Sequence, residues 1–225
     1  MTLQAVILDV DGTLVLSNDA HAQAWVEAFK DFGYEIKFEQ VRPLIGMGGD
    51  QLLPKLLPEL SAEEGQGKEI SDHRKKLVIN KYGPNVTPAN GARQLVVRMR
   101  DEGLRLLIAT SAKSEELSVL LKAAQVDDLL DEATTSSDAD ASKPAPDIVQ
   151  AALSKLNIPP DQVVMLGDTP YDIQSAKAAG VDVIAFRCGG FDDTQLSEAI
   201  AIYNDPADLL AQYELSPLGK RESDN

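Results

Sequence analysis

The chain has 225 residues, 44% of them hydrophobic and 25% charged, with 36 acidic against 21 basic side chains and a net charge of -15. That length can bury a sizeable core, while the acidic balance disfavours nucleic acid and anionic membrane surfaces as partners. No apolar run approaches the ~20 residues that cross a bilayer, and the single cysteine, Cys188, excludes an internal disulfide and suits the cytoplasm.

From the N-terminus, Leu3 to Val10 reads as a core strand and not as a signal peptide. Its apolar run Ala5-Val6-Ile7-Leu8 ends abruptly in Asp9-Val10-Asp11-Gly12-Thr13. A hydrophobic run ending in two carboxylates reads as a buried parallel strand delivering charge at its carboxyl end, the edge where open α/β sheets bind ligands. Asp9 and Asp11 are two residues apart, so extended backbone points their side chains the same way. Like charges held that close require a cation or a shared proton. Ala20 to Phe32 carries helical spacing, with His21 and Trp25 one turn apart, and both read as packing residues. From Phe38 to Tyr82 the pattern stays helical, broken by prolines and by the loop Gly46-Met47-Gly48-Gly49, which reads as a connector or as a lip that meets substrate.

Beyond Pro88 helices and strands alternate, which predicts βαβ units and a parallel sheet. Helices are expected over 91–102, 115–124, 147–156, 171–179 and 206–213, and strands over 104–109, 133–135, 163–167 and 181–186. The strand 104–109 ends in Thr110-Ser111, and the strand 163–167 leads into Asp168. Ser142-Lys143-Pro144 adds a cation just before a helix. Three strands thus bring Asp9, Asp11, Ser111 and Asp168 to one sheet edge. The fold class is α/β: a Rossmann-like parallel sheet flanked by helices, with an inserted all-α cap. Residues 1–15 and 88–215 are expected to form the core, 16–87 the cap, and 216–225 a flexible tail.

Asp9-x-Asp11-Gly-Thr, Ser111 after its strand, Lys143 in Ser-Lys-Pro-Ala-Pro-Asp and Gly167-Asp168-Thr-Pro-Tyr-Asp172 resemble, in order and spacing, the four motifs of the haloacid dehalogenase superfamily. The likeness runs from about Leu3 to Gly190 and is nearest to the phosphoglycolate phosphatase and β-phosphoglucomutase branch. The resemblance implies a Mg²⁺-dependent phosphatase acting on a small phosphorylated metabolite. Asp9 is similar to the family nucleophile, which forms an aspartyl-phosphate, and Asp11 to the general acid and base. The resemblance gives Mg²⁺ the Asp9 carboxylate, the Asp11 backbone carbonyl and the Asp168 carboxylate, with Asp172 orienting them. It gives the phosphoryl oxygens to Ser111 and to the amides just beyond it, Ala112 first, and charge compensation to Lys143.

Simpler roles compete. Ser111 could cap the helix beginning near Ser114, Lys143 could be solvated, and Asp172 could face the helix dipole. A phosphomutase is the alternative activity, disfavoured because mutase relatives carry Glu-Asp-Ser where this chain has Gly167-Asp168-Thr169. A dehalogenase lacks an acid at Asp11, and a receiver-like signalling module lacks a helical cap. The expected assembly is a monomer or weak homodimer.

Overall fold

The computed structural model describes residues 3–130 and 132–219. The first strand is β1 (Ala5–Leu8), followed by the two-residue strand β2 (Val15–Leu16). Four helices come next: α1 (Asn18–Asp31), α2 (Phe38–Val41), α3 (Gly49–Leu56) and α4 (Gly65–Leu77). The α4 path continues through a π-turn at Val78–Tyr82 and a 3₁₀ turn at Gly83–Asn85 into β3 (Thr87–Pro88). Strands β2 and β3 pair antiparallel, so the way into the helical segment and the way out run side by side.

The alternation then proceeds as α5 (Ala92–Asp101), β4 (Arg105–Ala109), α6 (Ser114–Ala123), β5 (Ala133–Thr134), α7 (Asp147–Leu156), β6 (Val163–Gly167), α8 (Pro170–Ala178), β7 (Asp182–Phe186), β8 (Ala201–Tyr203) and α9 (Pro206–Ala211). Six strands form one sheet in the order β5-β4-β1-β6-β7-β8, and every pairing is parallel. The chain builds outward from β1 in one direction and then in the other. The carboxyl ends of β1, β4 and β6 therefore flank the reversal, where a crevice opens.

Period-2 alternation sorts the central strand between two cores: Val6 and Leu8 join one apolar cluster, Ala5 and Ile7 the other. The helical segment has a cluster of its own, including Trp25, Phe29, Leu52, Leu53 and Ile70. Among the described residues no helix is long and apolar enough to cross a membrane.

Two elements go beyond the expected set, and one expectation is corrected. Strand β8 closes one edge of the sheet, although its three half-buried residues carry too short a pattern to read. The β2–β3 ribbon is equally too short to show periodicity. The packed chain also extends past Ser216: that residue and Leu218 are buried, and Leu218 joins the core cluster containing Tyr213. Of the expected tail, 220–225 lie outside the described residues.

Candidate active site

Asp9 leaves the end of β1 buried, and its Oδ1 accepts from Lys143 Nζ at 2.6 Å. Lys143, only 1% exposed, also donates to the Ala109 carbonyl at the end of β4 and to Asp172 Oδ1, both at 2.8 Å. A buried ammonium is tolerable only when its donors are used, and here three acceptors take them. Burial would lower the Lys143 pKa, but Asp172 and Asp9 push it above the ordinary lysine value.

Asp172 closes the reciprocal cap of α8. Its Oδ2 accepts from the Thr169 amide at 3.0 Å and hydroxyl at 2.7 Å, and Thr169 Oγ1 accepts from the Asp172 amide at 3.1 Å. One oxygen of Asp172 thus serves the helix start, and the other accepts from Lys143. Asp168, fully buried, accepts from Thr13 Oγ1 at 3.1 Å and from Asn18 Nδ2 at 2.8 Å. Room for it comes from missing side chains: a Cβ on Gly12 would stand 2.1 Å from Asp168 Oδ2, and one on Gly189 only 1.7 Å away.

Ligand atoms of Asp9, Asp168 and Asp172 lie within 4.8 Å of one another. Three buried carboxylates thus face a single ammonium, and the electrostatics register the imbalance. Burial raises Asp9 to about 8, with Lys143 only partly offsetting it and Asp172 and Asp11 adding to the rise. Burial likewise lifts Asp168 well above the carboxylate range, helped by Asp172 and Asp9. All-oxygen donors with excess negative charge suit a hard divalent cation.

Asp11 is different. Its carboxylate lies outside that cluster and turns toward the helical segment. Oδ1 accepts from the Ser17 hydroxyl and lies 2.6 Å from His21 Nε2. Burial works to raise its pKa, but His21, Ser17 and Arg74 outweigh burial and hold it below the usual value. Arg74 Nη2 stands 2.5 Å from His21 Nδ1 and can only donate, so the imidazole proton facing Asp11 is on Nε2. Arg74 in turn pairs with buried Glu116 of α6 at 2.5 Å and lies over the Trp25 ring at 5.4 Å.

His21 is therefore a site residue and not only a packing residue. Arg74 and Glu116 are site neighbours that the sequence does not announce. Arg74 sits on a polar helix with three basic residues in its last turn, which reads as a solvated face. The available signal was spacing, since His21 and Trp25 share a helix face and the same guanidinium contacts both.

Asp9, Asp11, His21, Trp25, Arg74, Thr110, Ser111, Ala112 and the Gly46–Gly49 loop line one small cavity of about 50 Å³. The loop thus faces the cavity. Ser111 does not cap α6, whose capping position is Lys113 and has no side-chain cap. The Ser111 hydroxyl is buried without a partner among the described residues. The Ala112 amide, expected to be available, instead donates to Thr110 Oγ1 at 3.1 Å.

The helical segment, the roof of the site, meets the sheet edge and its loops, the floor, at several points. Asp50 Oδ2 accepts from the Ser142 amide at 3.1 Å, and Arg42 Nη2 donates to the Gly189 carbonyl at 2.5 Å. A chamber of about 360 Å³ adjoins the cavity, sharing Trp25, Gly49, Arg74 and Ser111 with it.

Known proteins carry the same likeness. The haloacid dehalogenase-like hydrolase family matches residues 6–186. Protein CbbY of Rhodobacter capsulatus is 30% identical over 195 residues, covering 82% of this chain and 85% of that protein. Pyrophosphatase PpaX of Halalkalibacterium halodurans is 25% identical over 217 residues, covering 93% and 96%. A hydrolase from Pseudomonas syringae superposes with a TM-score of 0.87 at 28% identity, covering 94% of this chain and 98% of that one. Fold, motif order and sequence similarity agree, and the chain belongs to the haloacid dehalogenase-like hydrolases.

Proposed function

We propose that the protein is a Mg²⁺-dependent phosphatase that hydrolyses a small phosphate monoester, of phosphoglycolate or sugar-phosphate type, through an aspartyl-phosphate on Asp9. The reading rests above all on one observation: Asp9, buried and fixed through Oδ1 by Lys143, faces the same cavity as Asp11 and the unspent Ser111 hydroxyl. The other oxygen of Asp9 has no hydrogen bond among the described residues.

In this mechanism Asp9 attacks phosphorus in line, and the bond to the leaving alcohol oxygen breaks as Asp11 protonates that oxygen. Asp11 then takes a proton from the water that attacks the phosphoryl group, and Asp9 is released. Ser17 and His21 both engage Asp11 Oδ1, so Oδ2 is the oxygen that carries the proton. The arriving phosphoryl charge raises the Asp11 pKa toward the protonated form that the first step uses. Ser111 Oγ donates to a phosphoryl oxygen, and Lys143 offsets the charge of nucleophile and phosphate. The cation, held by the carboxylates of Asp9 and Asp168 and the backbone carbonyl of Asp11, neutralises phosphoryl charge when bound.

Residues 1–15 and 88–215 act as the catalytic core, extended by the buried stretch to Leu218, and 16–87 as a cap with its own apolar cluster. The leaving group occupies the adjoining chamber. Its size falls within the ordinary range for small-molecule sites, ~300–1,000 Å³. The Ser71, Ser111, Ser136 and Ser142 hydroxyls, with charged groups and Trp25, suit a polyol. The name of the PpaX relative points to pyrophosphate as the substrate instead, whose leaving phosphate uses little of that space.

A second reading, phosphomutase, keeps support from one observation. A Cβ on Gly167 would stand 2.7 Å from the Asp172 Cβ and 3.0 Å from Oδ2, so Asp172 fills the space over Gly167. The floor therefore presents a second buried acid beside Asp168, which offsets the contrast with Glu-Asp-Ser. The test is phosphate release from sugar phosphates, phosphoglycolate and pyrophosphate with Mg²⁺, ranked by kcat/KM. Release from no monoester overturns the phosphatase. Conversion of β-glucose-1-phosphate, primed with a bisphosphate, to stoichiometric glucose-6-phosphate with little free phosphate selects the mutase.

A further inference from the structure

Asn18 begins α1 in the helical segment, yet its side chain is spent in the floor. Nδ2 donates to Asp168 Oδ2 at 2.8 Å and to the Gly189 carbonyl at 3.0 Å. A backbone carbonyl has no proton to give, so the amide nitrogen must face it and Oδ1 must point elsewhere. Asn18 is 4% exposed, and its Oδ1 is buried without a hydrogen-bond partner among the described residues. Leaving such an acceptor unmet is destabilising, so the site calls for a donor. Covalent amide geometry keeps Oδ1 within about 5 Å of Asp168 Oδ2. An acceptor in need of a donor thus stands beside the carboxylate assigned to the cation.

The surroundings hold it there. The Gly189 carbonyl that anchors Asn18 also accepts from Arg42 Nη2 at 2.5 Å, and Arg42 Nε donates to Asp19 at 2.5 Å. A Cβ on Gly12 would come within 2.4 Å of Asn18 Nδ2, so the turn after the first strand leaves just enough room for the amide.

We propose that Asn18 Oδ1 accepts a hydrogen bond from a water in the inner shell of the cation held by Asp168. Asn18 is then a positioning residue that acts on the metal through both ends of one amide, the nitrogen on the ligand and the oxygen on the ligand's neighbour. This assignment rests on the Mg²⁺ reading above. Mg²⁺ fits the role because it sheds its waters reluctantly and keeps several when bound. It also means that the helical segment contributes directly to metal affinity. A substrate hydroxyl is the other donor that could reach the same oxygen, so the measurement leaves substrate out.

The full chain is titrated with Mg²⁺ by calorimetry, beside Asn18→Ala and, in case that variant folds poorly, Asn18→Ser, which keeps a short polar group at the helix start. Loss of an outer partner weakens metal affinity by roughly 10–100-fold, and at least tenfold is expected here for both variants. A Kd within twofold of wild type in a folded variant overturns the assignment. Lowered melting in EDTA would then mark a structural role, and lowered kcat/KM a contact with substrate. A wild-type chain that binds no Mg²⁺ overturns the metal reading itself, and with it this proposal, which separates the two failures.

Discussion

The floor and the roof of the site are built by different physics. The floor is the carboxyl edge of a parallel sheet, where Asp9, Ser111 and Asp168 are each positioned by a strand end. The roof is a set of helices whose contributions, His21, Arg74, Asp50 and Arg42, reach the floor through side-chain bonds, with the Gly48 amide adding a long backbone bond to the Lys143 carbonyl at 3.4 Å. The backbone ladder fixes the floor, whereas single ion pairs and hydrogen bonds hold the roof, each worth about 1 kcal/mol net. Chemistry needs the first kind of precision. Admission and release of substrate need the second kind of reversibility.

The sharpest way to break this contrast is at the floor. Asp9→Asn is expected to lower kcat by at least about 10⁴-fold, as removal of a nucleophile does elsewhere, with far-UV circular dichroism unchanged. The fold should tolerate the change, because a neutral near-isostere relieves repulsion with Asp11 and Asp172. Substantial phosphatase activity in folded, pure Asp9→Asn would overturn covalent catalysis. Asp11→Asn should behave differently: with a good leaving group it still accepts phosphate but releases it slowly, so intact mass should show a trapped phospho-enzyme.

Lys143→Met comes next. It strands Asp9 and Asp172 buried without their ammonium, and breaking a buried pair from one side costs about 3–5 kcal/mol. Urea unfolding in EDTA at pH 8 measures the loss, and adding Asp172→Asn to the same chain should recover part of it by removing one stranded charge. A loss below 1 kcal/mol would mean that water reaches the site and solvates the carboxylates.

Much of the floor was legible in the sequence, and the reason is local. Val6-Ile7-Leu8 and Val163-Val164-Met165-Leu166 are apolar runs that only a buried strand explains, and each strand end fixes the position of the carboxylate just beyond it. The roof was not legible. Arg74 meets His21 across 53 positions and Glu116 across 42, and nothing local in a polar helix announces either contact. Nothing local to Asn18 announces the contact of its amide with Asp168. The same holds for Leu218, buried by tertiary packing beyond a polar stretch that resembles a frayed end. Short strands such as Ala201–Tyr203 fail for a simpler reason, since three residues cannot display a period.

A smaller effect separates floor from roof through pH. Burial raises Asp9 from 3.8 to about 8 and Asp168 in the same direction, so the metal-free fold binds protons that the unfolded chain has released. The stability these protons carry is complete below about pH 4 and is lost as pH rises toward 8. In the proposed Mg²⁺ site the cation would take the place of the protons, so its stabilisation should grow across that window and its binding should release protons at neutral pH. Melting with EDTA and with Mg²⁺ from pH 5 to 8 checks this, and calorimetry in buffers of different ionisation enthalpy counts the protons. A Mg²⁺ effect independent of pH would place the cation elsewhere. Asp11 contributes with the opposite sign, since its lowered pKa favours the fold at higher pH.

The smallest expected effect lies where roof meets floor. Asp50 Oδ2 accepts from the Ser142 amide at 3.1 Å, one residue before Lys143, and Asp50 also lines the adjoining chamber. Asp50→Ala removes one such bond, worth about 1 kcal/mol, and kcat/KM is expected to fall by roughly fivefold. The loss should appear in KM with kcat nearly kept. Lys143 retains Asp9, Asp172 and the Ala109 carbonyl when the roof loosens, so the nucleophile stays aligned while the closed form becomes less populated. A hundredfold fall in kcat would break the comparison: it would mean that the roof orients the nucleophile through the Ser142–Lys143 backbone, and that the floor is not rigid on its own.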